Sequence, residues 1–101
     1  LAHYRAFFQS PDRIHATSED YRAGQKVDAA HDAAVKKAGK TIAAPLLALW
    51  GDAGIVAQST PLDIWRGWAK SVSGQAIDSG HFLCEENPDA TASALIAFFR
   101  D

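Results

Sequence analysis

The residue best suited to chemistry is His81, which follows Ser79-Gly80 and precedes Phe82-Leu83. Imidazole is the side chain that accepts a proton from water near neutral pH, and general-base assistance of this kind typically contributes about 10² to 10⁴ in rate. A glycine just before it lets the backbone turn sharply as it leaves a strand. The other histidines, His3, His15 and His31, fall in stretches of helical character, and their spacing gives no H-x-x-x-H zinc pattern. Cys84 is the only cysteine, so it offers neither an internal disulfide nor a metal or redox pair. Asp52 reads as a loop carboxylate, and Glu85 and Glu86 as polar residues leading from loop to helix. There is no G-x-S-x-G nucleophile elbow and no Gly-rich phosphate loop. The residues thus supply a base without an identifiable nucleophile, and neither a metal site nor a cofactor site is expected.

The elements that must position His81 can be read from pattern. Tyr4, Phe7 and Phe8 share a helical face, predicting a helix over residues 2–8. Ser10-Pro11-Asp12 restarts the chain with an N-cap, a first-turn proline and an acid at the positive helix end. The spacing predicts a second helix to Ala23, stopped by Gly24, with Tyr21 on the Ile14 face and directed toward protein. Residues 27–37, rich in Ala and Lys, predict a third helix stopped by Gly39. Pro45 to Trp50 is a short, continuously apolar run ending at Gly51, the pattern of a buried parallel strand. Thr60-Pro61-Leu62-Asp63 predicts a capping-box helix start that runs to about Ser71 and carries Trp65 and Trp68. Val72 to Asp78 is a weaker strand, interrupted by Gly74, that leads into Ser79-Gly80-His81. Ala92, Leu95, Ile96 and Phe99 predict a closing helix with a packing face.

Strand, helix, strand and closing helix form a βαβ unit of an α/β fold with a parallel sheet covered on both faces. Two strands alone leave two open edges, so further strands are expected before Leu1. The absence of Met and a start in apparent mid-helix point the same way, to part of a longer reading frame. Ligands of parallel sheets bind beyond the carboxyl ends of the strands, which selects the loops 51–59 and 79–87.

Composition removes several functions. A formal charge of -2 with no cluster of Lys and Arg among aromatics gives no footprint for nucleic acid. No apolar stretch is long enough to span a bilayer and no secretory signal opens the chain, so a cytoplasmic protein without a membrane partner is expected.

Three segments resemble the fluoroacetate (haloacetate) dehalogenases of the α/β-hydrolase superfamily. Asp12-Arg13-Ile14-His15-Ala16 with Glu19-Asp20-Tyr21-Arg22-Ala23-Gly24 is similar to the end of their cap domain. Leu46 to Gly51 is similar to their late core strand, and Ser79-Gly80-His81-Phe82-Leu83 with Glu85, Glu86 and Pro88 to their catalytic-histidine loop. The Leu-Trp-Gly and Gly-His-Phe elements occur in many cap-bearing α/β-hydrolases, and the first segment is the specific part. The resemblance implies a C-terminal fragment of the fold, residues 1–26 ending a helical cap and 27–101 carrying the last two parallel strands and their helices. It implies dehalogenation of a small haloacid through an aspartyl ester, with His81 activating water and Tyr21 binding the departing halide. Phe82 and Trp50 are expected to line the pocket. The nucleophile, the arginines that hold the substrate carboxylate and the acid partner of His81 would lie upstream. Many α/β-hydrolases keep that acid three residues beyond the Gly of the late strand, but Gly54 stands at this offset from Gly51, and the resemblance implies an acid after an earlier strand. An epoxide-hydrolase relative and a non-catalytic binding or assembly module are the competing expectations, and a homodimer is compatible with any of the three.

Overall fold

Local helix formers dominate the first forty residues, and these build one helical unit. The structure, a computed structural model, describes residues 1–100, which divide into two compact units, one of Leu1–Lys40 and one from Thr41 onward. In the first unit, α1 spans Ala2–Phe7 and α2 spans Pro11–Ala23. Ser10 takes the extended N-cap conformation before Pro11, but its hydroxyl makes no cap bond. Its carbonyl instead accepts from the Arg13 and Ile14 amides, each at 3.1 Å.

Gly24 does not stop this helix. It holds helical angles (φ -53°, ψ -42°), and a π-helical turn over Gly24–Asp28 passes directly into α3, Ala29–Lys37. Glycine costs a helix interior only about 1 kcal/mol relative to alanine, which the alanine-rich continuation outweighs. The helical run therefore continues through residue 26 without a break. Gly39 is the real terminus. Its φ of +65° is the left-handed conformation that a side chain resists. Its amide donates to Lys36 O at 3.0 Å while Lys40 N–H donates to Val35 O at 3.3 Å, the paired bonds of a Schellman cap.

In the second unit, β1 (Leu46–Gly51) and β2 (Val72–Ile77) lie parallel, in a register that pairs Leu46 with Val72 and Gly51 with Ile77. The crossover between them contains α4, Pro61–Arg66. It is shorter than the pattern predicts because the chain turns back at Gly67, and Ala69 then forms a parallel bridge with Ile42 that extends the sheet. The expected capping box is also absent: neither side chain caps the helix end, and Asp63 pairs with Arg66 at 2.7 Å. Gly74 does not interrupt β2. It sits opposite Ala48, and a Cβ there would stand 2.0 Å from Ala48 O, so the close approach of the strands requires glycine.

The core of this unit is small: Ala48, Ala69 and Ile77 are its buried apolar side chains. Leu46, Leu47, Leu49 and Trp50 are only half-buried, although their sequence is that of a strand covered on both faces. Among the described residues the sheet has two strands, so each keeps one unpaired edge. Two further helices, α5 (Leu83–Glu86) and α6 (Pro88–Arg100), close the unit. The face of α6 differs from the predicted one. Thr91, buried, and Ala94 and Phe98, half-buried, turn inward, whereas Ile96 and Phe99 are exposed. The Thr91 hydroxyl donates toward Asn87 O at 2.8 Å and Leu83 O at 3.2 Å, which ties α6 to α5.

Candidate functional site

The loop that follows β2 is fastened residue by residue around His81. Asp78 O accepts from the Asn87 side-chain amide at 3.1 Å, and Asn87 Oδ1 in turn accepts from Ala90 N–H in the first turn of α6. Ser79 is buried; its N–H donates to Asp52 Oδ1 at 3.2 Å and its carbonyl accepts from Ala53 N–H at 3.1 Å. Asp52 is therefore engaged with backbone, and its carboxylate fixes the loop rather than the imidazole. The Glu86 carboxylate accepts from Gly80 N–H at 2.6 Å and from Phe82 N–H at 3.0 Å, so one side chain holds the residues on both sides of His81.

Gly51 makes this packing possible, because the atoms nearest its position are all backbone. A Cβ on Gly51 would stand 1.7 Å from Gly80 O, and one on Gly80 would stand 2.7 Å from Glu86 Oε2. The end of β1 and the loop after β2 thus approach at a distance only glycine allows. The amide bonds from Phe82 and Gly80, with a smaller contribution from the His81 charge, hold the Glu86 carboxyl below its ordinary value of 4.5. An acid lowered in this way stays ionised across the neutral range and loses its acceptor role only as pH falls through the lowered value.

His81 itself is exposed, and its ring meets Phe82 edge-on at 5.1 Å between centroids. It lines two clefts of the second unit. A smaller one of about 250 Å³ lies at the carboxyl ends of the strands, between Trp50, Gly51, Gly54 and Ile55 on one side and Gly80 and Leu83 on the other. A larger one of about 460 Å³ is walled by Leu47, Leu49, Phe82, Thr91 and Leu95. The structure therefore brings His81 to Trp50 in the first cleft and to Phe82 in the second. An imidazole in this setting can receive a proton from a water molecule while its backbone stays fixed.

Tyr21 belongs to the helical unit. It is 75% exposed and Ile14 beside it 48%, so the face they share is open within the described residues instead of turned into a core. Trp65 is also exposed and lines a groove together with Leu46 to Trp50 of β1. No group of three His, Cys, Asp or Glu able to hold a metal ion occurs among the described residues. No helix among them is long and apolar enough to cross a membrane.

Sequence reasoning read Glu86 only as a polar residue leading from loop to helix, without its bonds to the Gly80 and Phe82 amides. The available signal was an acid four residues beyond Phe82, the N-cap of α5, which places it one residue late for the usual reciprocal capping contact.

No protein-family profile matches the chain. Among curated proteins it is similar to a fluoroacetate dehalogenase from Burkholderia, with 29% identity over all of this chain and 33% of that protein. Solved structures with the same fold include a mutant of a protein described as an epoxide hydrolase from Pseudomonas aeruginosa. It is 41% identical, superimposes with a TM-score of 0.89, and the match covers 96% of this chain and 33% of that one. A protein described as an α/β-hydrolase from Nostoc is 44% identical with a TM-score of 0.84, over 91% of this chain and 31% of its own. One described as an acyltransferase from Salmonella enterica is 38% identical with a TM-score of 0.85, over 91% and 30%. The chain thus spans about a third of the length of each relative. Its helices and parallel strand pair fit the C-terminal part of an α/β-hydrolase fold, and its sequence is similar to that of a fluoroacetate dehalogenase.

Proposed function

We propose that the protein carrying this chain hydrolyses the carbon–halogen bond of a small haloacid, fluoroacetate among them, through an aspartyl ester. In the first stage an aspartate carboxylate, expected outside these residues, attacks the halogen-bearing carbon; the new C–O bond forms as the carbon–halogen bond breaks and halide departs. In the second, a water gives a proton to His81 as its oxygen adds to the ester carbonyl. The ester C–O bond then breaks as His81 returns its proton to the departing glycolate oxygen, and the freed aspartic acid gives its remaining proton to solvent, which restores the carboxylate. Tyr21 would donate its phenolic O–H to the departing halide, an interaction that strengthens as charge develops. Trp50 and Phe82 would wall the cleft, and no cofactor is required.

The observation that carries this reading is the placement of an exposed His81 at the carboxyl ends of two parallel strands, on a loop bonded on both sides of it. The test is His81→Asn in the full-length protein. Halide should be released once per enzyme and the ester trapped, visible as a mass increase on the protein. Normal multiple turnover by this variant would remove His81 from its role.

A second reading has a specific support, the 41% identity to the Pseudomonas aeruginosa protein described as an epoxide hydrolase. That chemistry would also pass through an aspartyl ester, with a hydroxyalkyl group in place of glycolate, but would protonate an alkoxide in the first stage. Fluoride release from fluoroacetate without diol formation from an epoxide selects dehalogenation, and the converse selects epoxide hydrolysis.

A further inference from the structure

We propose that Glu86 is a positioning residue for His81, acting on the ester-hydrolysis stage and not on ester formation; this rests on the reading of His81 as the base. Glu86 spends both carboxylate oxygens on the backbone that brackets one residue, Oε2 on Gly80 N–H at 2.6 Å and Oε1 on Phe82 N–H at 3.0 Å. The carboxylate sits so close over Gly80 that a Cβ there would stand 2.7 Å from Oε2. Charge-assisted bonds of this kind are the stronger class of hydrogen bond, and two of them converge on one rigid group. Elsewhere the loop is anchored N-terminal to His81, at Asp78 by Asn87 and at Ser79 by Asp52 and Ala53, and C-terminal to it at Phe82 O, which accepts from the Glu85 and Glu86 amides. Without the Glu86 carboxylate, the Gly80 and Phe82 amides on either side of the ring lose the one acceptor that joins them.

A base must meet its water and the ester carbonyl in one orientation, and a displacement of about 1 Å costs on the order of 10² in rate. Ester formation uses the aspartate and the halide donors, so it does not feel this displacement. The clamp thus predicts a split between stages that a general loss of structure would not produce.

The experiment is rapid-quench kinetics on the full-length protein, using whichever of fluoroacetate or an epoxide the wild type turns over, since each passes through an aspartyl ester. Glu86→Ala should form the first equivalent of ester at the wild-type rate and then hydrolyse it about 10²-fold more slowly, with the ester visible by mass. Glu86→Gln, which keeps one acceptor oxygen and the side-chain shape, should fall between Ala and wild type. Ester hydrolysis by Glu86→Ala within about threefold of wild type, or an equal fall in both stages, overturns the proposal. His81→Asn run in parallel separates the two claims. A trapped ester there with a normal Glu86→Ala variant refutes the clamp alone, while normal turnover by His81→Asn removes the base and the clamp together.

Discussion

Replacing Gly51 with alanine adds one methyl group at the tightest contact between β1 and the histidine loop. The new Cβ would stand 1.7 Å from Gly80 O, 2.6 Å from Ser79 O and 2.8 Å from Gly80 C, where side-chain carbons essentially never come within 3.0 Å. All three atoms are backbone, so no side-chain rotation relieves the clash. Gly80 O must retreat by about 1.3 Å to reach that limit. Overpacking of this kind costs about 1–3 kcal/mol. The retreat also pulls on the bonds between Ser79 and the Asp52 and Ala53 side of the cleft, each contributing about 0.5–1.5 kcal/mol. Gly51→Ala should therefore lose about 2–6 kcal/mol in urea unfolding of the full-length protein. Because Gly80 adjoins His81, ester hydrolysis should fall by about 10² in whatever fraction remains folded. Gly54→Ala serves as the control: its Cβ would lie 3.1 Å from the same Gly80 O, and a few tenths of an ångström of adjustment accommodates it. A Gly51→Ala variant with wild-type midpoint and turnover, or one indistinguishable from Gly54→Ala, would refute this account of the contact.

Asp52→Asn should keep turnover within a few fold of wild type, because an amide oxygen can accept from Ser79 N–H as the carboxylate does. If Asp52 were instead the acid that orients His81, steady-state kinetics would show a fall on the order of 10⁴. Tyr21→Phe should cost roughly 10² in turnover with fluoride as the leaving group and less with chloride, by analogy with the loss of one oxyanion donor. Equal losses for the two halides, measured by ion-selective electrode, would assign Tyr21 to packing.

Elements governed by local chemistry were legible in the sequence. Pro11 and Gly39 set real helix ends, the Leu46–Trp50 run is a parallel strand, and His81 lies where a strand hands over to a loop. Features that depend on a partner were not. Whether Gly24 ends a helix depends on the residues after it, and here the chain continues through a π turn. The α6 stripe predicted packing at Ile96 and Phe99, but the surface that α6 meets within the described residues is the small one reached by Thr91, Ala94 and Phe98. The role of Glu86 was hidden because composition records an acid near a loop, while its function comes from two amides turned toward it by the backbone.

The register of the two strands also bears on the order in which the chain acquires its structure. Every pair from Leu46–Val72 to Gly51–Ile77 joins residues at one constant separation, and the Ile42–Ala69 bridge spans nearly the same distance along the sequence. The first of these pairings must close a long loop, at an entropic cost of about 3 kcal/mol, before any strand bond repays it. The later ones then add with little further closure. The residues before Gly39 need only neighbours three to five positions away, and such helices relax in about a microsecond. Helical structure should therefore precede the sheet, and His81 should reach its final position late, when strand pairing draws the loop after β2 onto the end of β1.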